Sequence, residues 1–208
     1  MYLDTRELSS RDAYKLLIGS VVPRPIGWIS TVSADDVNNL APFSFYMAAT
    51  GNPPTVVLST SMRDGQPKDT LRNVMEVPEF VLNVVDEELG EAMNATSEEF
   101  PADVDELVTA GLTPAPSSRV RPVRVAEAPI HMECRVVQLV PVGDPKTGST
   151  LIIGEVLAWH VRDDLFDAER MRIRLDELKA LGRMAGDGYT RTRDQFEMIR
   201  PNPNYQGR

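Results

Sequence analysis

The sequence lacks the features that mark secreted, disulfide-bonded and membrane proteins. It has one cysteine, Cys134, so no disulfide can form within the chain, which fits a reducing compartment. The N-terminus is polar and does not resemble a signal peptide. No apolar run approaches the roughly 18–20 residues that a membrane span needs. We therefore expect a cytoplasmic protein with no membrane partner.

The motifs of several common enzyme sites are also missing. There is no phosphate-binding G-x-x-x-x-G-K-[ST] loop, no strand–GxGxxG–helix unit and no G-x-S-x-G elbow. The histidines are only His131 and His160. His131 and Cys134 lie three apart on a predicted strand and so point to opposite faces. The sequence predicts no metal site, and Cys134 is predicted to be a small core residue.

Basic charge is in short supply. Lys and Arg number 22 against 31 Asp and Glu, so the net charge is -9. An acidic surface repels phosphate backbones, which argues against a nucleic-acid partner. The 208 residues, of which 42% are hydrophobic, suit one domain over residues 1–208 with a real core.

Strand patterns dominate the centre of the chain. A hairpin is predicted from "RPIGWISTV", the turn "SADDVN" and the return strand "NLAPFSFYMAAT", and buried strands from "TVVLST" and "EFVLNVVD". Two long strands, "IHMECRVVQLVPV" and "TLIIGEVLAWHV", are predicted to form a second hairpin through "GDPKTGS".

Helical patterns lie between and after these strands rather than in strict alternation with them. They cover "SSRDAYKLLIGS", Leu71 to about Glu76 with Asp69 or Thr70 as cap, "DEELGEAMNAT", "ADVDELVTAG", and "RLDELKAL" ended by Gly182. We therefore predict a mainly β fold, an antiparallel barrel of Greek-key-like order with flanking helices, helical insertions and an irregular C-terminal segment.

The first hairpin carries polar residues where a surface hairpin would show a clean polar face. Thr31, Asn39 and Ser44 stand among Trp28 and several other aromatic residues. One interpretation is a partly wet core. The other is a strand pair that cradles a flat ligand with polar edges.

The segment "LSTSMRDGQPKDTLRNV" combines hydroxyls, a lysine and a helix start. The free N–H groups and the dipole at a helix N-terminus favour an anion. Hydroxyls and Lys68 beside them would suit a terminal phosphate. The alternative interpretation is a solvated loop followed by a capped helix.

A series of segments resembles the flavin reductase-like proteins, which are FMN-binding split β-barrels and include flavoredoxins. The series covers nearly the whole chain: the stretch from "VVPRPIGWISTV" to "TVVLST", then "KDTLRNV", "EFVLNVV", "EAMNATSEEFP", "AGLTPAPS", "IHMECRVVQL", "LIIGEV" and "GRMAGDGYTRT". The resemblance implies a homodimer of split barrels with one FMN per subunit near the dimer interface.

The resemblance also implies a set of FMN contacts. By position, the isoalloxazine ring or the ribityl chain would lie beside Thr31, Asn39, Ala41, Ser44 and Phe45. The ribityl end and the phosphate would be held by Ser59, Thr60, Ser61, Lys68 and Thr70. From the C-terminal segment, Met184 and Tyr189 would approach the ring.

The implied activity is that of an FMN-dependent oxidoreductase. It would be a flavin reductase that feeds a monooxygenase or another redox partner, or a flavoredoxin-like electron carrier. Two-component reductases of this fold often carry Gly-Asp-His before the strand "LxxGEV", and that histidine is linked to nicotinamide binding. Here Pro145 follows Gly143 and Asp144, which puts NADH or NADPH as donor in question. The alternatives are a non-catalytic flavin-binding or regulatory module, or a barrel that binds no flavin.

Overall fold

The computed structural model describes residues 1–63, 65–199 and 201. The helices are α1 (Ser10–Ser20), α2 (Asp69–Glu76), α3 (Gly90–Ala95), α4 (Glu106–Thr109) and α5 (Leu175–Leu178), with short 3-10 turns at Thr5–Glu7 and Asp163–Leu165. The strands are β1 (Arg24–Pro25), β2 (Gly27–Val32), β3 (Asn38–Phe43), β4 (Tyr46–Gly51), β5 (Pro54–Arg63), β6 (Gln66–Pro67), β7 (Glu79–Val84), β8 (Pro114–Ala115), β9 (Arg124–Val125), β10 (Ile130–Val142), β11 (Ser149–Val161), β12 (Phe166–Asp167), β13 (Arg172–Ile173), β14 (Leu181–Arg183) and β15 (Tyr189–Arg191).

One curled antiparallel sheet forms the centre of the fold. Its strand order is β3-β2-β7-β10-β11-β5-β4, with β6 paired to β5. The strands β3 and β4 lie at opposite edges of this sheet, yet only Ser44 and Phe45 separate them in the chain. The three chain steps from Phe43 to Tyr46 span at most about 11 Å, so the two edges must come close together. The sheet is therefore bent into an open barrel, and the predicted antiparallel, mainly β class is confirmed.

The predicted return strand "NLAPFSFYMAAT" is wrong as a single strand. It divides into β3 and β4 at a bend formed by Ser44 and Phe45. At this bend the chain leaves β2 and joins β5, where the Phe45 carbonyl accepts a hydrogen bond from the Ser59 N–H (2.8 Å). Ser44 is consequently not a strand residue whose facing can be counted from its neighbours.

Local sequence predicts one of three helix ends correctly. Ser9 caps α1, as its sequence predicts, and accepts from the Asp12 N–H. In contrast, α2 begins at Asp69 with Lys68 in the cap position and no side-chain cap, so the predicted Asp69 or Thr70 cap is wrong. Gly182 does not end α5, because that helix stops at Leu178 and Gly182 lies in β14.

The core has two parts. Inside the barrel, residues such as Ile29, Phe80 and Cys134 form one apolar cluster. Cys134 is fully buried, as predicted, and burial raises the pKa of its thiol. Gly154 is required here, since a Cβ on it would lie 2.4 Å from the Phe80 ring. The second cluster lies under α3 and α4 and contains Trp28, Leu40, Met93 and Leu107.

Candidate functional site

Two adjoining pockets lie along the edge strand β3. The larger one, of about 230 Å³, is bounded by β3, by the start of α2, by the segment after α3 and by Glu106 of α4. The smaller one, of about 160 Å³, is bounded by the β3–β4 bend, α3 and the C-terminal segment. Pro42, Phe43 and Ser97 line both pockets. The two pockets therefore adjoin each other and share a mainly apolar wall.

A buried amide and hydroxyl network forms the base of the larger pocket. The Asn39 side-chain amide donates to the hydroxyls of Thr31 and Thr70, both at 3.1 Å. The Asn73 amide also donates to Thr31 (3.1 Å). All four side chains are buried. The network ties strands β2 and β3 to helix α2, and the helix start is thereby fixed against the pocket.

The start of α2 supplies the pocket with donor groups. Lys68, Asp69 and Thr70 line it, and the cap position has no side-chain hydrogen bond. The N–H groups of the first helical turn and the positive helix end favour an anion there. Among the described residues, Lys68 has no carboxylate partner within 4.0 Å, whereas Asp69 pairs with Arg72.

Carboxyl groups also line this pocket, which limits how much negative charge it can accept. They belong to Asp69, Glu98, Glu99 and Glu106. Glu106 is buried, and its carboxylate accepts from the Leu40 N–H (3.0 Å) on the outer edge of β3. Burial, with lesser contributions from the charges of Asp69 and Asp105, raises the pKa of Glu106 to about 7. A share of the Glu106 population is therefore neutral near pH 7, which reduces the repulsion of an anion.

The smaller pocket is organised by Arg24. Its guanidinium donates to the carbonyls of Ile18 (2.8 Å), Val21 (2.7 Å) and Met184 (2.9 Å), and its Nε donates to the Ser44 hydroxyl (3.3 Å). It also lies 5.8 Å from the centre of the Phe45 ring. One side chain thus joins the end of α1, the β3–β4 bend and the C-terminal segment.

The C-terminal segment closes the smaller pocket with an arginine and a tyrosine. Arg183 stacks over the Tyr189 ring, 4.4 Å from its centre, and both residues line the pocket. The Tyr189 hydroxyl donates to the Asn94 side chain (3.2 Å), which also lines the pocket. Gly182 lets β14 pass close to its neighbours, since a Cβ would lie 3.0 Å from Thr190.

The predicted contact residues divide into four groups. Those that line the larger pocket are Asn39, Ala41, Lys68 and Thr70, and those that line the smaller one are Ser44 and Tyr189. Around these pockets, Thr31 lies beneath Asn39, Phe45 is partly exposed beside Arg24, and the Met184 carbonyl binds Arg24. The remaining three, Ser59, Thr60 and Ser61, lie on β5 and line neither pocket.

The three β5 residues do not face one way. Thr60 is fully buried, and its hydroxyl has no hydrogen-bond partner among the described residues. Ser59 is half-buried and Ser61 is exposed. Because strand side chains alternate, Thr60 points to the face opposite to its two serine neighbours. A single ligand can therefore contact either Ser59 and Ser61 or Thr60, but not all three.

Sequence reasoning missed four residues of this region: Arg24, Asn73, Glu106 and Arg183. A signal existed for Asn73, which is a polar residue on the buried side of α2 beside Leu71 and Val74. Nothing local marks Arg24 or Arg183, since their positions depend on the pairing of β1 with β14 across the whole chain.

The pockets suit a planar ligand with polar edges. Pro42 and Phe43 supply apolar contact, and the amide, hydroxyl and lysine groups lie at the ends. Each pocket alone is smaller than the usual range of about 300–1,000 Å³, and the two together reach it. Among the described residues, no group of three or more His, Cys, Asp or Glu side chains is placed to hold a metal ion. Nor does that part of the chain contain a helix long and apolar enough to cross a membrane.

The curled sheet and its lateral pockets define a split β-barrel. A structure with a split barrel domain from Shewanella frigidimarina, 21% identical, matches 96% of this chain and 98% of its own with a TM-score of 0.82. At that identity the likeness concerns the fold alone. The chain belongs to the flavin reductase-like family, whose domain model matches residues 18–177.

More similar proteins cover almost the whole chain. An uncharacterized protein of Aquifex aeolicus is 42% identical over 89% of this chain and 93% of its own. The structure of nitrilotriacetate monooxygenase component B from Bacillus cereus is 35% identical, with a TM-score of 0.92 over 95% of this chain and 98% of its own. The structure of 2-nitrobenzoate 2-nitroreductase NbaA from Pseudomonas fluorescens is 30% identical, with a TM-score of 0.88 over 97% and 96%.

Proposed function

We propose that the protein is an FMN-dependent oxidoreductase of the flavin reductase or flavoredoxin type. One observation carries the proposal: the two pockets share an apolar wall and are flanked by hydrogen-bonding groups, in a chain of the flavin reductase-like family. A flavin has the same division, with apolar faces and hydrogen-bonding edges. FMN, when bound, would supply the one- and two-electron redox chemistry.

In this proposal the larger pocket holds the phosphate end. Lys68, Thr70 and the N–H groups at the start of α2 bind the phosphate oxygens. Asn39 orients the Thr70 hydroxyl through their hydrogen bond. For the ribityl end, the candidates on β5 are either Ser59 and Ser61 or, on the opposite face, Thr60, whose hydroxyl has no partner among the described residues.

The smaller pocket receives the ring in this proposal. Phe43 supplies apolar contact, while Ser44 and Tyr189 provide hydrogen bonds at the edge. The C-terminal segment, through Met184 and Arg183, excludes water from that side. These residues position the ring, and the electrons enter and leave at the flavin itself.

A nicotinamide donor is part of the proposal, but not through the turn "GDPKTGS". In that turn the Asp144 carboxylate accepts from the Lys146 and Thr147 N–H groups, both within the hairpin tip. Asp144 is thus a turn residue whose Oδ1 holds the hairpin tip. NADH or NADPH would have to approach the ring from the open side of the pockets.

A homodimer is also proposed, because a single chain leaves much apolar surface uncovered. Helix α1 has no buried residue, and its Leu17 is 51% exposed. Along the edge strand β4, Met47 is 58% exposed. Exposed apolar side chains that are grouped together mark interaction surfaces, and a second copy is the partner that the family suggests. A monooxygenase or other redox partner and a cytoplasmic location stay predictions.

The test is the absorption spectrum of the purified protein, before and after desalting with added FMN, and then with NADH or NADPH. We expect a bound-flavin spectrum near 450 nm that bleaches when a reduced nicotinamide is added. Bound flavin that neither nucleotide reduces, but that a chemical reductant does, would favour an electron carrier. A colourless protein that takes up no FMN would refute the proposal.

A further inference from the structure

Arg24 is a buried positive charge with no carboxylate partner in the part of the chain that the structure describes. It is 6% exposed, and no carboxylate oxygen of the described residues lies within 4.0 Å of its guanidinium, whereas several other arginines have such a partner, among them Arg135 and Arg193. Its hydrogen bonds go to three neutral carbonyls and one hydroxyl. A buried charge held only by neutral groups keeps its field, because no opposite charge cancels it.

A second arginine lies directly beside it. The Cα partners Arg24 and Arg183 stand opposite each other on β1 and β14. The only interaction of the Arg183 guanidinium within residues 1–63, 65–199 and 201 is its stacking on the Tyr189 ring. Like charges opposite one another in a sheet destabilise it, so the repulsion between these two arginines must be offset by another interaction. An anionic partner in the smaller pocket would provide one.

Ser44 connects the Arg24 guanidinium to the smaller pocket through a hydrogen bond. A guanidinium can only donate, so the Ser44 oxygen must be the acceptor in its bond with Arg24 Nε. The hydroxyl hydrogen of Ser44 is then left to donate elsewhere, and no described residue accepts it. Ser44 lines the smaller pocket. Its O–H is therefore a charge-assisted donor available to a ligand atom.

We infer that Arg24, acting through Ser44, together with Arg183 makes the smaller pocket selective for the reduced, anionic form of the flavin. This inference rests on the proposed function. Two electrons and one proton convert oxidised flavin into an anionic hydroquinone, whose added negative charge lies on one edge of the ring. A positive field and a polarised O–H stabilise that form more than the neutral oxidised one. Arg24 is then a positioning residue, and Ser44 and Arg183 are the groups that face the ligand.

A functional consequence follows for the fate of the flavin. A protein that binds reduced flavin more tightly than oxidised flavin keeps its cofactor after reduction. It therefore works as a carrier with a resident flavin rather than as a source of free reduced flavin. The selectivity also raises the reduction potential of the bound flavin above that of free FMN, because the two affinities and the two potentials form one thermodynamic cycle.

The experiment measures the dissociation constants of oxidised and of reduced FMN, with the midpoint potential as an independent readout. The variants are Ser44→Ala, Arg183→Gln and Arg24→Gln, and Arg170→Gln is the matched control, because Arg170 is exposed and pairs with Asp167. For Ser44→Ala we expect about a tenfold loss for reduced FMN, the scale of one hydrogen bond to a charged group, with at most about a twofold loss for oxidised FMN. A tenfold change in that ratio corresponds to about 30 mV for a two-electron couple.

The possible outcomes distinguish selectivity for reduced flavin from flavin binding itself. Ser44→Ala and Arg183→Gln alter only side chains at the pocket wall, so they remain informative where Arg24→Gln does not fold. An equal loss for both redox forms, or an unchanged potential in both variants, would overturn the inference while the flavin site stands. A wild-type protein that binds neither form would overturn the inference and the proposed function together.

Discussion

Asn39 and Thr70 are joined by a 3.1 Å hydrogen bond that fastens the edge strand β3 to the first turn of helix α2. The same amide reaches Thr31 on the neighbouring strand, where Asn73 adds a further bond. A buried network with all members paired fixes one arrangement of the elements that carry it. The phosphate end of the proposed flavin site therefore has a rigid base before any ligand arrives.

The first prediction removes the centre of this network. In Asn39→Ala, the buried hydroxyls of Thr31 and Thr70 lose their common donor, so the free energy of unfolding should fall by about 1–3 kcal/mol. Urea unfolding of the protein without flavin measures this directly. Gln138→Ala, at an exposed position of β10, is the control and should stay within about 0.5 kcal/mol of wild type. Equal values for the two variants would show that the network adds nothing.

The second prediction concerns Lys68 and the phosphate. Lys68→Ala should weaken FMN binding by about 1.5–3 kcal/mol, the range for hydrogen bonds to charged groups. Riboflavin lacks the phosphate and should bind the variant and the wild type equally well. Flavin fluorescence titrations supply both constants, with Lys146→Ala at the exposed hairpin tip as control. A parallel loss for both ligands would mean that Lys68 supports the fold and not the phosphate.

The third prediction concerns assembly. Light scattering should give about twice the chain mass of 23.1 kDa. Met47→Glu places a charge on the exposed face of β4 and should shift the protein towards monomer. Met171→Glu changes an equally apolar exposed side chain on a different surface and should leave the dimer intact. A wild-type monomer that still binds FMN tightly would contradict a site near the subunit interface.

The fourth prediction uses the pKa of Glu106. Burial raises it from its ordinary 4.5 to about 7, so the folded state holds a proton that the unfolded state releases. The contribution of protonated Glu106 to the free energy of unfolding is fully present below about pH 4.5 and is lost as the pH rises through about 7. Glu106→Gln keeps an acceptor for the Leu40 N–H but cannot titrate. Its free energy of unfolding should therefore lack this decline, as followed by urea unfolding at several pH values.

The control for Glu106 is Glu98→Gln, an exposed carboxyl group that lines the same pocket. It should show the wild-type decline in stability between about pH 4.5 and 7. If Glu106→Gln and wild type change in parallel over this range, then Glu106 is not the group that titrates, and its burial must be offset by partners other than the Leu40 N–H.

Much of the fold could be predicted because its signals are local. Alternation and apolar runs located β2, β5, β7 and the long β10–β11 hairpin, and Ser9 marked the start of α1. The division between β3 and β4 could not be predicted in this way. Ser44 and Phe45 continue an unbroken strand pattern, and only the pairing of β4 with β5 turns the chain there.

The candidate site was predictable only in part, for the same reason. Asn39 lies in the first hairpin, and Lys68 and Thr70 lie two positions apart at a predicted helix start, and both segments have evident polar chemistry. Arg24 and Arg183 lie 159 positions apart, and the sequence contains nothing that relates them until β1 pairs with β14. The deep position of Glu106 likewise depends on the contact of α4 with the free edge of β3.

The strand order also dictates when this chain can fold during its synthesis. β11 pairs with both β10 and β5, so it joins the two halves of the sheet. While Ser149–Val161 is still inside the ribosome, the nascent chain carries β5 and β10 as open edges, a state that invites association with other chains. Closure of the barrel therefore waits until the whole of Ser149–Val161 has left the ribosome.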